Sequence, residues 1–194
     1  MRPQSKSPIW LTKEELAAVL AAASHNLRDQ LALEFCVTFA LRRSELVSLQ
    51  LKNLADGMIR CKRSKESLPV HQFIPASLAA KLAEYLTEEG ITDPEAFVFH
   101  NGQKGDNYGG LDGATFNRIY KKYAASLPPT KRHVHCLRHT GIAAYYRATK
   151  DLMATAKFSG HVNPVHVQTY AALSPEESAK NNRSVLDSMF AVAA

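Results

Sequence analysis

The chain has 194 residues, with 24 Lys+Arg against 18 Asp+Glu, a formal charge of +6 and eight further histidines. With 45% hydrophobic residues, it holds enough apolar material for one ordinary domain, which excludes disorder throughout. No run of 18 apolar residues occurs, and Met1 to Pro8 carries no apolar stretch behind its positive charges, so neither a membrane span nor a secretory leader is expected.

Leu11-Thr12-Lys13-Glu14-Glu15 reads as a helix start. Thr12 can cap the amide of Glu15 while Glu15 reaches back, and Leu16, Val19 and Leu20 follow at helical spacing to about Ser24. Leu27 to Leu41 is a second helical pattern, apolar on nearly every side as a central core helix is. Ser44 is placed to cap a short helix carrying Leu46 and Leu49. Met58 to Lys62 and Pro69 to Ile74 have the length and residue types of a β-hairpin around the turn Arg63 to Ser67. Pro75-Ala76-Ser77 opens an amphipathic helix with Leu78, Leu82 and Leu86 on one face and Gly90 at its end.

Ala96 to Phe99 reads as a short strand. Asn101 to Gly113 holds five glycines and reads as a mobile loop before a helix over Thr115 to Ala125. The last third is helical, interrupted at Pro128-Pro129, at Gly160 and at Asn163-Pro164, where Asn163 can cap and Pro164 can take the first helical position. The fold class expected is mainly α with a small antiparallel β-sheet, and no linker divides the chain.

The charge is unevenly spread. Between Gly113 and Lys150 there is no Asp or Glu but eight cations: Arg118, Lys121, Lys122, Lys131, Arg132, Arg138, Arg147 and Lys150. A polyanion is the natural partner of such a stretch. Cys36, Cys61 and Cys136 form no Cys-x-x-Cys pair and read as reduced core residues of a cytosolic protein.

Within His135-Cys136-Leu137-Arg138 an imidazole and a guanidinium three residues apart lie on one helix face, a pair suited to a phosphate. Arg42 stands where the apolar helix ends, with Glu45 three residues on to hold it, and Thr169-Tyr170 follows Gly160-His161 by nine residues. The strings Ala40-Leu41-Arg42-Arg43-Ser44-Glu45-Leu46, His135-Cys136-Leu137-Arg138-His139-Thr140, Ser159-Gly160-His161 and Thr169-Tyr170 resemble, in order and spacing, the catalytic boxes of the tyrosine recombinases, or phage integrase family. The resemblance spans about residues 10 to 175.

The resemblance implies a site-specific recombinase that cleaves and rejoins DNA through a 3′-phosphotyrosyl intermediate, for integration, excision or inversion. Tyr170 is then the nucleophile, Arg42 and Arg138 clamp the non-bridging phosphate oxygens, and His135 and His161 donate hydrogen bonds or move protons. A hairpin lysine protonates the departing 5′-oxygen: Lys65 matches the family's turn, and Lys62 is the reserve candidate. Double-stranded DNA is the implied partner, with a homo-oligomer, a tetramer, formed on it. Accessory DNA-bending or directionality proteins are further implied partners. No cofactor and no metal are expected, because the phosphotyrosine bond conserves the phosphodiester energy. The implied location is cytoplasmic, at the nucleoid.

The implied division is an N-terminal tail over 1–10, a catalytic domain over 11–175 and a C-terminal helical tail over 176–194 that can be exchanged between protomers. Departures from the family pattern are Ala40 where Gly is usual, Arg43 where an apolar residue is usual and Ser159 where Leu is frequent. Most members also carry an N-terminal DNA-binding domain, so the chain reads either as a naturally short recombinase or as an isolated catalytic domain. Rival readings are a catalytically silent DNA-binding regulator, a type IB topoisomerase, and a metal hydrolase built on His133, His135, His139 and His161. The last lacks a nearby carboxylate to activate water.

Overall fold

A computed structural model describes residues 8–63, 67–101 and 109–171. Helix α1 (Lys13–Ala23) begins with the expected capping box: Glu15 N–H donates to Thr12 Oγ1 at 3.2 Å and Thr12 N–H to Glu15 Oε2 at 2.8 Å. Helix α2 (Leu27–Thr38), capped by Asn26, is the central element. It packs against α1, against α4 (Ala76–Glu89) and against α6 (His135–Thr149). Its Leu31, Leu33 and Phe35 are wholly buried, and Phe35 meets Phe39 and Phe99 edge to face. Where α6 crosses α2, a Cβ on Gly141 would run into the carbonyl oxygen of Val37, so only glycine permits this approach.

Helix α2 stops three residues short of the expected Leu41, because Ala40 takes a left-handed conformation with φ +48°. That reversal turns the carbonyls of Phe39 and Ala40 out of the helical ladder, where guanidinium groups use them. Ala40 is also fully buried, so the departure from glycine sits in the core at a strained backbone position.

Helix α3 (Arg43–Val47) starts two residues earlier than a Ser44 cap requires. Arg42 is its N-cap, and the Glu45 carboxylate, not a serine hydroxyl, receives the Arg42 N–H at 2.7 Å. The sheet has three strands: the expected hairpin β2 (Met58–Cys61) and β3 (Val70–Phe73), plus a two-residue β1 (Leu54–Ala55), in antiparallel order β1-β2-β3 with Ile59 opposite Gln72 and Leu54. The strand expected at Ala96 to Phe99 is only a bridge, Gln50 to Phe97. It is too short a contact to extend into a ladder.

Helix α4 ends at Gly90 with φ +68°, as glycine at that position allows. Helix α5 (Gly113–Tyr123) begins two residues before the expected Thr115, because Asp112 accepts from the amides of Ala114 and Thr115. Most of the glycine-rich loop before it, residues 102–108, lies outside the described residues. Helix α7 (Leu152–Ser159) is capped by Asp151 and ends at Gly160, φ +73°. Asn163 and Pro164 then open a 3-10 helix over Pro164–Tyr170.

Two apolar clusters result. The larger surrounds α2. The smaller joins Ala40, Ile142, Ala143, Ala156, Val167 and Tyr170, with Trp10, Tyr146, Leu152 and Phe158 against it. The second cluster draws together the end of α2, the body of α6 and the segment after α7, which are the stretches that carry the charged sequence motifs. Among the described residues no helix is long and apolar enough to cross a membrane.

Candidate active site

Arg42 is half-buried at the start of α3. Its Nη1 donates to Glu45 Oε1 at 2.7 Å while Glu45 Oε2 takes its backbone N–H, so one buried carboxylate fixes both the backbone and the guanidinium of Arg42. The sequence placed Glu45 in this role. It gave no role to Arg63, whose side chain is fully buried just beyond β2, with Nε 3.7 Å from Glu45 Oε2. Arg63 donates to the carbonyls of Phe39 at 3.1 Å, of Phe158 at 3.4 Å, and of Ser159. In the sequence it has only a place in the hairpin turn, and the packing puts its side chain inside.

Arg138 lies on the second turn of α6, 5% exposed, and donates to the carbonyls of Ala40 and, at 2.7 Å, Ser159. Burial, with Arg63 and Arg42 nearby, lowers its pKa to about 10, which leaves it charged at neutral pH. Three guanidiniums therefore surround one carboxylate, and the excess positive charge is matched to an anion such as a phosphate. Ser159 is the meeting point, since its carbonyl accepts from both Arg63 and Arg138.

His161 follows the Gly160 cap, and its Nδ1 is 2.7 Å from Ser159 Oγ. Burial, then Arg138, Arg42, His166 and Arg63, hold its pKa down at about 4. The Ser159–His161 turn also meets the far side of the hairpin: Ser67 bridges His161, and Leu68 N–H donates to the Gly160 carbonyl at 3.2 Å.

Tyr170 ends the 3-10 helix, 8% exposed, with its ring 6.0 Å from that of Trp10. Burial raises its pKa to about 12 against the opposing pull of Arg138. The sequence spacing aimed this tyrosine at His161. Its hydroxyl is instead hydrogen-bonded to His139 Nδ1, and His139 is pushed down to about 4 by burial and by His135, Arg138 and His133. The signal for His139 was its position directly after Arg138, where it was weighed only as a metal ligand.

His135 is the first residue of α6 and is exposed, its ring 6.4 Å from that of His139. Partial burial, then His133 and the guanidiniums of Arg138, Arg43 and Arg42, lower its pKa. Lys62 is exposed at the end of β2 in a groove of about 580 Å³ that Lys52, Arg60 and His71 also line. Lys65 lies outside the described residues. Among the described residues no group of three or more His, Cys, Asp or Glu is arranged to hold a metal ion.

The structure thus gathers Arg42, Arg138 and His161 around the Glu45, Arg63 and Ser159 hub and sets Tyr170 beside them through His139. Solved structures share this fold. The XerA recombinase matches with a TM-score of 0.74 over 94% of this chain and 65% of its own, at 20% identity. The XerH site-specific recombinase bound to its difH substrate matches with 0.72 over 93% and 55%, also at 20%. In sequence, the tyrosine recombinase XerC of Herpetosiphon aurantiacus is 31% identical over 170 residues, 82% of this chain and 52% of the relative. That of Staphylococcus haemolyticus is 26% identical over 89% and 60%. The chain spans little more than half the length of these relatives. The model of the phage integrase family matches residues 9–177, and with the expected motifs in place along that stretch, the chain belongs to the phage integrase family.

Proposed function

We propose that the chain is the catalytic part of a site-specific DNA recombinase, acting on double-stranded DNA and assembling on it as a homo-oligomer, a tetramer in the full reaction. The observation that carries this reading is the placement of the buried Tyr170 hydroxyl on His139, directly beside the buried Arg138, in a site with three guanidiniums and one carboxylate. A phenol is a poor nucleophile at its ordinary pKa near 10, and here burial raises it further. A phosphodiester entering the site brings the anion that Arg42 and Arg138 are arranged to receive.

In this reading the Tyr170 hydroxyl passes its proton to His139 Nδ1, its oxygen attacks phosphorus, the bond to the 5′-oxygen breaks, and a 3′-phosphotyrosyl link forms. Arg42 and Arg138 bind the non-bridging oxygens, whose charge grows in the transition state. His135 and His161 act at the same phosphate. Lys65, with Lys62 in reserve, protonates the leaving 5′-oxygen. Residues 11–175 form the catalytic unit, and 176–194, outside the described residues, are the segment that passes between protomers. The chain works in the cytoplasm at the nucleoid, alongside accessory DNA-bending or directionality proteins.

The test is capture from a pool of nicked duplexes of randomised sequence, resolved on a denaturing gel. A covalent adduct is expected, mapping by peptide mass spectrometry to Tyr170 and disappearing in Tyr170→Phe. DNA binding without any adduct would support the silent regulator instead. Relaxation of supercoils without strand exchange between two captured sites would support the topoisomerase.

A further inference from the structure

Ser159 stands at a position where the family pattern often has leucine, and it is completely buried. Its hydroxyl has one hydrogen and three neighbours. The carbonyl of Thr155 lies at 2.7 Å and that of Ala156 at 3.2 Å, both able only to accept, and His161 Nδ1 lies at 2.7 Å. With two carbonyls within reach against one ring nitrogen, the hydroxyl hydrogen is best placed on the helix side, where Oγ is left as an acceptor toward the ring. In that arrangement Nδ1 carries the hydrogen of the bond to His161.

We propose that Ser159 is a positioning residue that holds His161 in its Nδ1–H tautomer, leaving Nε2, across the ring, as a hydrogen-bond acceptor. The neutral ring then cannot donate from Nε2 to a phosphate oxygen and can only accept a hydrogen bond there. The ring is neutral near pH 7, since burial and the facing guanidiniums of Arg138, Arg42 and Arg63 disfavour its charged form. The backbone supports the same geometry. Gly160 closes α7, His161 N–H donates to the Ala156 carbonyl at 2.8 Å, and the Ser159 carbonyl is gripped by Arg63 and Arg138. Ser159 is thereby immobile, and the tautomer it selects is fixed relative to both arginines. With leucine at this position no side-chain acceptor would face Nδ1. The tautomer would then be open to choice, so this chain's serine changes what its histidine offers.

The catalytic consequence rests on the recombinase reading above, but the tautomer does not, and the experiment separates them. The first readout is the ¹⁵N pattern of His161 in the uniformly labelled full chain at neutral pH. Wild type is expected to show a protonated Nδ1 and an unprotonated Nε2. Ser159→Ala keeps the carbonyl that the arginines use and removes only the hydroxyl, so it is expected to fold and to lose that pattern, with Nε2–H becoming populated. Ser159→Thr retains a hydroxyl and is expected to restore it.

The second readout is single-turnover adduct formation on a captured nicked duplex. Ser159→Ala is expected to slow it by about tenfold or more with DNA affinity unchanged, in the manner of an imidazole deprived of the partner that sets its tautomer. Ser159→Thr should recover it. The proposal is overturned if wild-type His161 is protonated on Nε2, if Ser159→Ala leaves the ¹⁵N pattern as it was, or if Ser159→Ala forms adduct at the wild-type rate. If wild type forms no adduct at all, the recombinase reading falls while the ¹⁵N pattern still decides the role of Ser159.

Discussion

The hydroxyl of Tyr170 is hydrogen-bonded to Nδ1 of His139, one residue beyond Arg138 on α6. The tyrosine is thus fixed from the helix that carries the buried arginine, not from the neighbouring His161 turn. A buried hydroxyl that loses its partner costs about 1–3 kcal/mol, whereas removing both partners together is far cheaper. His139→Phe is therefore expected to destabilise the fold by about that amount, and Tyr170→Phe with His139→Phe by less than the sum of the two single changes. His139→Asn, which keeps a hydrogen-bonding atom near the Nδ1 position, should retain most of the stability. Denaturant unfolding of the four variants checks this, and strict additivity would show that the bond contributes nothing.

Arg42 and Arg138 should separate in their effects. Arg138 is 5% exposed and holds the Ala40 and Ser159 carbonyls, so Arg138→Ala leaves the buried Ala40 carbonyl without this donor and the Ser159 carbonyl to Arg63 alone, and is expected to cost about 3 kcal/mol of stability. Arg42 is more open, and its Glu45 partner keeps Arg63 at 3.7 Å, so Arg42→Ala should cost about 1 kcal/mol or less. Both should slow adduct formation on the order of 100-fold or more. Equal stability losses in thermal unfolding would contradict the burial difference.

Stability should fall as pH drops from about 6.5 toward 4. His139 and His161 are held at about 4 in the fold against about 6.5 in an unfolded chain. Between those values the unfolded state binds protons that the native state refuses, so acid favours unfolding. Above 6.5 both states are neutral at these rings and the contribution is flat. Urea midpoints measured from pH 7.5 to 4.5 should show the decline. His139→Asn, which has no titrating ring at that position, should flatten part of it, and an unchanged slope would remove His139 as a cause.

Ala40 combines a left-handed backbone with complete burial. Ala40→Val places a branched side chain where both backbone and packing resist it, and is expected to destabilise by about 2 kcal/mol or more. Because the Ala40 carbonyl also receives Arg138, adduct formation should fall as well. Ala40→Gly, which relieves the backbone but gives up a buried methyl, should leave stability within about 1 kcal/mol of wild type. A tolerated valine, seen as an unchanged melting temperature, would show that the reversal at Ala40 is not needed.

The elements of this protein were legible in its sequence wherever the causes are local. The Thr12–Glu15 box, Gly90 and Gly160 at helix ends, and Asn163-Pro164 all act within a turn or two of themselves, and each stands where such residues act. The family and its motif residues were legible for the same reason, as short strings in fixed order. The starts of α3 and α5 were missed for local reasons, the caps made by Glu45 and Asp112. The other misreadings arose where a long-range contact overruled a local one. Helix α2 ends early because Ala40 reverses to present carbonyls to arginines distant in sequence, Arg63 and Arg138. Arg63 read only as a hairpin-turn residue because its acceptors just past α2 and on α7 are 24 and 95 or more residues away. The partner of Tyr170 depended on how the 3-10 helix rolls against α6, which is set by the packing of Val167, Ala40 and Ile142 in the second apolar cluster. Local sequence determined which groups exist and which segments carry them. The burial of one apolar cluster decided which of those groups face one another, because side-chain pairing across helices follows from how their apolar faces close and not from spacing along any one of them.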